Sequence, residues 1–305
     1  MRPLGSSQAN RPGRSRAAMI SIGSNAALIA LKVAAGAITG SIAIITEAVH
    51  SAIDLMASVV AYFSVRKAEE PADADHPYGH EKAENLAAAF EGMLILAGAG
   101  VIVFVAVRRL GDPPEIGSIG VGIAVIALSL VVNLIVSTYL YRRARDTDSA
   151  ALEADGAHLR ADALTSAGVL VALVLVAITG IEALDSVTAL AVAVAIVFAG
   201  VRIISRSGRV LMDEALPQDE LDAVRAAIEE RAAPEVTGYH KLRARRAGAR
   251  RYIDLHVQFR PGTTLERAHA LSHELQHAVG ARLRGADVLI HLEPGAGADP
   301  RDPAG

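Results

Sequence analysis

The feature that most constrains this sequence is a series of six apolar segments, all within the first 210 residues. A helix needs about 20 mainly apolar residues to cross the hydrocarbon core of a bilayer. The segments cover residues 17–38, 41–65, 83–107, 116–141, 152–178 and 186–204. Apolar residues make up 52% of the chain and its mean hydropathy is +0.35, which is high for a soluble domain. The sequence therefore predicts an α-helical membrane protein with six transmembrane helices.

Charged residues are interleaved with apolar ones after residue 210, as in an ordinary soluble domain. The spacing predicts a helix ending near Arg231, strands at 241–247 and 251–260, a helix at 265–283 and a last strand at 287–292. The order αββαβ in about 80 residues is typical of a small α+β domain. We predict a disordered basic tail at 1–16, a six-helix domain at 17–210, the α+β domain at 211–294 and a disordered tail at 295–305.

The basic residues predict the orientation, because cytoplasmic loops carry an excess of Lys and Arg. They precede the first segment, lie between the second and third and between the fourth and fifth, and follow the sixth: Arg2, Arg11, Arg14, Arg16, Arg66, Lys67, Lys82, Arg142, Arg143, Arg145, Arg206 and Arg209. The connections near Gly40 and at 179–185 carry none, and Arg108 and Arg109 are the exception. Both termini are therefore predicted to face the cytoplasm.

Two of the apolar segments carry a histidine and an aspartate four residues apart. The second contains His50 and Asp54, and the fifth contains His158 and Asp162. Residues four apart lie on one face of a helix. A charged side chain at bilayer depth costs at least ~2.5–3.5 kcal/mol, so two such pairs predict a shared function.

These four side chains offer only nitrogen and oxygen ligands, and the chain has no cysteine. Two imidazoles and two carboxylates suit a tetrahedral Zn²⁺ site. Because metal ligands must be deprotonated, metal and protons compete for the same groups. The alternative is that the four residues only hydrogen-bond between helices and hold no ion.

The loop after the second segment contains Asp73, His76 and His80. Pro77 and Gly79 between the two histidines favour a turn over a helix. Three nitrogen and oxygen ligands would form an open, exchangeable metal site. The spacing alone is equally compatible with a solvated loop.

The segment His273-Glu274-Leu275-Gln276-His277 matches the HExxH pattern of zinc peptidases. His269, His273 and His277 follow one another at steps of four, so they share one helix face. The soluble part is too small to build a peptidase cleft around this helix. A metal-loading or solvated helix face is the preferred interpretation, and a membrane metal sensor or metallopeptidase is the alternative from a different functional class.

Taken together, these motifs resemble the cation diffusion facilitator family over residues 16–294. The resemblance rests on the paired HxxxD motifs, the loop Asp73-Ala-Asp-His76-Pro-Tyr-Gly-His80-Glu-Lys82, the junction Leu211-Met-Asp213-Glu-Ala-Leu-Pro217 and the end Ile290-His291-Leu-Glu293-Pro294. The sequence is similar to the bacterial branch of zinc and ferrous-iron efflux transporters.

The resemblance implies a homodimer in the inner membrane that exports divalent metal in exchange for protons, and not an enzyme. It implies a transport site at His50, Asp54, His158 and Asp162, and a second site at Asp73, His76 and His80. It also implies that the cytoplasmic domain dimerises and binds metal at His240, His256, His269, His291 and Glu293. The histidine at position 50 favours Zn²⁺, while Fe²⁺, Mn²⁺, Co²⁺ and Cd²⁺ remain alternatives. Zn²⁺ is also implied as a structural or regulatory ion. The net charge of −3 does not suggest a nucleic-acid partner.

Overall fold

The chain forms two compact units, one that ends at Arg209 and one that begins at Val210. A computed structural model describes residues 13–39, 42–111, 120–181 and 183–295. Most of the two predicted tails therefore lies outside the described residues. Each unit has its own core and is described separately.

The first unit consists of six long helices. They are α1 (Arg14–Thr39), α2 (Ile42–Ala68), α3 (Lys82–Gly111), α4 (Gly120–Thr147), α5 (Ala150–Thr179) and α6 (Ala183–Leu211). Five of them are long and apolar enough to cross a membrane. The remaining helix, α2, has 27 residues, and its apolar run is interrupted by Glu47, His50 and Asp54. The chain is a helical membrane protein, as its apolar segments predict.

Most helices extend past the apolar segments that predicted them. The first begins at Arg14, inside the predicted tail, and the sixth continues to Leu211. A helix satisfies its own backbone groups whether or not it lies in lipid, so the apolar run marks only its buried or lipid-facing part. Helices α3 and α6 approach closely where Gly92 faces Gly200, since a Cβ on Gly200 would lie 3.2 Å from the carbonyl oxygen of Gly92.

A buried ion pair joins three of the helices at the N-terminal ends of α1 and α3. Arg14 donates from Nη1 to Glu84 Oε1 at 2.9 Å and from Nη2 to the carbonyl oxygen of Thr147 at 2.5 Å. Ser149, the N-cap of α5, donates a hydrogen bond to the other oxygen of Glu84. The ion-paired side chains are 7% and 2% exposed, so water does not screen them. The pair ties the starts of α1 and α3 to the turn between α4 and α5.

The second unit is a two-layer α+β fold. Helix α7 (Gln218–Arg231) precedes strands β1 (Val236–Ala247) and β2 (Arg250–Phe259), helix α8 (Leu265–Arg282) and strand β3 (Ala286–Pro294). This order confirms the predicted αββαβ pattern.

The sheet of this unit has the order β1-β2-β3, with β1 antiparallel and β3 parallel to the central strand β2. Both helices bury apolar side chains against the sheet: Val224, Ala227, Ile228, Leu271, Leu275 and Val279 pack with Ile253, Leu255 and Val257. Strand β1 begins five residues before its prediction. Its start carries Gly238 and a register shift, which obscure the alternation on which the prediction depended.

Removal of one partner from the buried ion pair is expected to destabilise the first unit strongly. Arg14→Ala leaves Glu84 as an uncompensated buried charge, which costs about 3–5 kcal/mol. Thermal unfolding of the purified protein in detergent measures the change. Arg206→Ala is the control, because it removes an ion pair with Glu153 whose side chains are 52% and 32% exposed and which contributes at most about 1 kcal/mol. An equal loss of stability in the two variants would contradict the role assigned to Arg14.

Candidate metal centres

Three groups of histidine and carboxylate side chains meet in the described part of the chain, each with ligand atoms within 4.8 Å of one another. They are Asp54, His158 and Asp162; Asp73, His76 and His80; and His240, His256 and Glu293. A tetrahedral Zn²⁺ with bonds of about 2.0–2.1 Å holds neighbouring ligand atoms about 3.3–3.4 Å apart. The distances between the ligand atoms of each group can be compared with this value.

The first group joins α2 and α5 inside the helical unit. His158 Nε2 lies 3.1 Å from Asp54 Oδ1 and 4.0 Å from Asp162 Oδ2. Asp54 and His158 are 6% and 7% exposed. His158 and Asp162 share a helix face because they are one turn apart on α5. Asp54 comes from a different helix, so only packing of α2 against α5 completes the group.

The fourth predicted member of this group is His50. Its backbone belongs to α2, one turn before Asp54, but its side chain lies outside the described residues. Its role as a ligand therefore stays a prediction.

The second group lies in the connection between α2 and α3. Asp73 Oδ2 is 3.2 Å from His80 Nε2, Asp73 Oδ1 is 3.4 Å from His76 Nδ1, and the two ring nitrogens are 3.1 Å apart. These separations match the edges of a tetrahedral Zn²⁺ site. His80 is buried, whereas the other two residues are exposed, so the group is open on one side.

Backbone geometry holds this second group together. Asp73 Oδ1 accepts from the backbone N–H of Asp75 at 3.0 Å and of His76 at 2.7 Å. The bond from the His76 backbone is the main reason that the pKa of Asp73 lies below its usual value, and the histidine charges add to it. Gly79 has a φ of +92°, which a residue with a side chain rarely adopts, and its N–H closes the turn onto His76.

The third group lies on the sheet of the second unit. His240 Nε2 donates to Glu293 Oε2 at 2.7 Å, and His256 Nδ1 donates to Glu293 Oε1 at 2.5 Å. The bond from His256 is the largest cause of the lowered pKa of Glu293, followed by the bond from His240. The carboxylate is therefore ionised at neutral pH and ready to bind a cation.

Strand register assembles this third group. His240 pairs with His256 across β1 and β2, and His256 pairs with His291 across β2 and β3. The three histidines thus form one row, with ring centroids 5.2 Å and 4.7 Å apart. His291 Nε2 is 3.8 Å from Glu293 Oε1 and its side chain is 64% exposed, so it lies at the edge of the group.

The last predicted ligand, His269, does not join this row in the part of the chain that is described. It lies on α8, where its Nε2 is 3.2 Å from Nε2 of His273. His269, with His273 and His277 one and two turns later, belongs to the predicted histidine face of α8. Its assignment to the sheet site stays a prediction.

Besides Glu81 and Glu84, two fully buried carboxylates in the helical unit are absent from the predicted sites. Glu91 on α3 and Asp155 on α5 are both 0% exposed. The sequence contained a signal for both, since each is an acidic residue inside a predicted apolar segment. Neither shows the His-Asp spacing that drew attention to Asp54 and His158.

Two family models match the chain. The cation efflux transmembrane domain matches residues 18–212, and the cation efflux protein cytoplasmic domain matches residues 216–295. The chain is 35% identical over 277 residues to the uncharacterized transporter sll1263 of Synechocystis, which covers 91% of this chain and 89% of the relative. It is 36% identical over 267 residues to the cation-efflux pump FieF of Serratia proteamaculans, which covers 88% of each.

Two solved structures are similar to part of the chain. The zinc form of CzrB, described as a candidate zinc transporter, is 34% identical and covers 30% of this chain and 99% of its own, with a TM-score of 0.27. The metal-bound C-terminal domain of the CzcD transporter from Thermotoga maritima is 26% identical and covers 26% of this chain and 94% of its own, with a TM-score of 0.24.

Glu293→Gln should reduce the metal bound by the purified full-length protein. The change removes the anion that links His240 and His256 and leaves neutral ligands, which bind Zn²⁺ more weakly. Equilibrium dialysis with metal analysis measures the number of ions per chain. In the unmodified protein the binding should also weaken from about pH 8 to about pH 5, because the imidazoles must lose protons to bind metal.

The matched control is Glu274→Gln, which changes the acidic residue of the HExxH pattern on α8. It should leave the number of bound ions unchanged. A loss of metal in Glu274→Gln with none in Glu293→Gln would assign the metal to α8 instead of the sheet.

Proposed function

The chain belongs to the cation diffusion facilitator family of cation efflux transporters, and we propose that it exports Zn²⁺ from the cytoplasm in exchange for protons. The family transports cations across membranes and is not a family of enzymes. We propose Zn²⁺ as the metal, protons as the counter-ion, and specific residues as the binding site for both.

The observation that carries the proposal is the group of Asp54, His158 and Asp162 inside the helical unit. Its two most buried members come from different helices, and their nearest ligand atoms are 3.1 Å apart. Buried ionisable residues among membrane helices mark ion pathways, because their cost is tolerated only where they serve a function. A site shared by α2 and α5 can change its exposure when the two helices move relative to each other. Alternating access needs such a site.

Proton exchange follows from the chemistry of the same atoms. Without metal, one proton lies in the hydrogen bond between His158 Nε2 and Asp54 Oδ1. Both atoms are the ones that would bind the cation, so this proton must leave when Zn²⁺ arrives. Protons that enter from the far side then compete with the bound ion and favour its release. Metal and protons thus move in opposite directions through one site.

Zn²⁺ is the proposed main substrate because the donor set is nitrogen and oxygen without sulfur, with His50 as the proposed fourth ligand. Fe²⁺, Mn²⁺, Co²⁺ and Cd²⁺ accept the same donors and are the alternative substrates. The loop group at Asp73 is proposed as a second exchangeable site. The sheet group at Glu293 is proposed as a structural or regulatory site in a homodimer, which the cytoplasmic dimerisation domain of the family supports.

Asp54→Ala should abolish Zn²⁺-driven proton movement in proteoliposomes, because it removes the carboxylate that α2 contributes to the group and with it the partner of His158. A pH-sensitive dye trapped inside the vesicles measures the flux, which should fall to the level of protein-free vesicles. Glu153→Ala is the control, since Glu153 is half-buried on α5 outside the group and pairs with Arg206. Normal flux in Asp54→Ala would refute the assignment.

The same vesicles rank the substrates. Competition among Zn²⁺, Fe²⁺, Mn²⁺, Co²⁺ and Cd²⁺ should favour Zn²⁺, and preference for another ion would replace it in the proposal. A metal sensor would bind metal without vectorial flux. A metallopeptidase would lose its activity in Glu274→Gln and keep it in Asp54→Ala.

We also propose that the protein lies in the inner membrane with both termini in the cytoplasm. The chain has no cysteine, so single cysteines report their location without background. Ile181→Cys, in the connection between α5 and α6, should react with a membrane-impermeant maleimide in intact spheroplasts. Ala281→Cys on α8 should react only after the membrane is opened. The reverse pattern would invert the topology.

A further inference from the structure

Glu91 on α3 is a buried carboxylate that the proposed transport site does not use. Its residue is 0% exposed, and neither carboxylate oxygen has a hydrogen-bond partner among the described residues. An ionised carboxylate without a partner is strongly disfavoured in an apolar environment, so Glu91 is favoured in its neutral, protonated form.

Asp155 is a second buried carboxylate, on α5. Its Oδ1 accepts from Ser58 Oγ at 2.9 Å, and Ser58 Oγ in turn accepts from Asn25 Nδ2 at 2.9 Å. Its Oδ2 is buried without a hydrogen-bond partner among the described residues. Asp155 thus has one oxygen held by α2 and one oxygen without a partner.

The two carboxylates lie beside the metal group. Asp155 is three residues before His158 on α5, and Glu91 is one turn before Ile95, which belongs to one buried apolar cluster with Ala157 and Ala161 of α5. Among the described residues, Asp155 and His158 are the charged groups close enough to act on Glu91 electrostatically. No hydrogen bond joins Glu91 to Asp54, His158 or Asp162 in the described part of the chain. The influence of Glu91 on the site therefore acts through space.

The charges around Glu91 determine whether its carboxyl group keeps or loses its proton. Asp155 repels a negative charge on Glu91, and the positive charge of His158 attracts it. A divalent cation bound at Asp54, His158 and Asp162 replaces the proton of the His158–Asp54 hydrogen bond and so raises the positive charge there by one. Low dielectric makes such interactions strong over several ångströms. The arrival of the metal therefore favours loss of the Glu91 proton, and its departure favours return of the proton.

We propose that Glu91, with Asp155 beside it, is a proton-binding site next to the metal site and distinct from the metal ligands. Zn²⁺ binding would release one proton from the carboxyl group of Glu91 to water, and Zn²⁺ release would return one. Its part in exchange rests on the proposed antiport, but proton release upon metal binding does not require transport. Proton coupling in this protein would then involve more groups than those that bind the metal.

The proposal is tested by counting the protons released when Zn²⁺ binds. Calorimetric titration of Zn²⁺ into the purified full-length protein, at one pH in two buffers of different ionisation enthalpy, gives that number. Glu91→Gln preserves the shape of the neutral acid and cannot release a proton. It should therefore release about one proton fewer per Zn²⁺ bound at the Asp54 group, with the number of bound Zn²⁺ ions unchanged.

Three further variants define the comparison. Asp54→Ala shows which part of the proton release belongs to the transmembrane group. Asp155→Asn removes the repulsion on Glu91 and should change the pH at which the proton is lost. Glu153→Gln, which changes a half-buried acid on α5 outside the metal group, should release as many protons as the unmodified protein. If Glu91→Gln and Asp155→Asn both behave like Glu153→Gln, the two carboxylates are only structural and the proposal is wrong.

Infrared difference spectra test the same step by a second, independent measurement. Addition of Zn²⁺ should remove the carbonyl stretch of a protonated carboxylic acid, and this band should be missing from the difference spectrum of Glu91→Gln. Spectra without such a band would overturn the proposal. Lack of Zn²⁺ flux in proteoliposomes would instead refute the antiport and leave the proton count at Glu91 as measured.

Discussion

The structure depends on the cost of burying charge in a medium that cannot solvate it. The helical unit buries Arg14, Glu84, Asp54 and His158, and each finds a partner on another helix. Backbone hydrogen bonds form within each helix, so they cannot select neighbours. Polar side chains can, because an unpaired charge costs several kcal/mol whereas a poor apolar contact costs far less. The buried pairs therefore determine which helices meet.

Two of these buried pairs have different roles. The ion pair of Arg14 and Glu84 is short and makes further hydrogen bonds with Thr147 and Ser149. These bonds hold the helix ends in one arrangement. The contact between Asp54 and His158 is a single hydrogen bond whose atoms are also the proposed metal ligands. One set of interactions holds the ends of the helices, and the other can be exchanged for a cation. A transporter needs both, since its site must open without separation of the bundle.

The fold was largely predictable because its signals are local. An apolar run long enough to span a bilayer predicts a helix whatever surrounds it, and α8 shows its cap Thr264 and its periodicity in the sequence. Helix ends were predicted less well, as at Arg14, where helix continues into a polar segment because Glu84 lies nearby. Among site residues, spacing indicated His158 and Asp162 on one helix face, and the turn residue Gly79 indicated how His76 approaches His80.

The sequence by itself determined the residue types available for chemistry: histidine and carboxylate without cysteine, at helical spacing within apolar segments. Only tertiary structure decided which of them meet. Packing of α2 against α5 places Asp54 beside His158, and strand register aligns His240, His256 and His291 while His269 lies on α8. It also buries Glu91 on α3 and Asp155 on α5, which no spacing indicated. The physical reason is that contacts between distant segments depend on how whole elements pack, and each element's sequence encodes only its own periodicity.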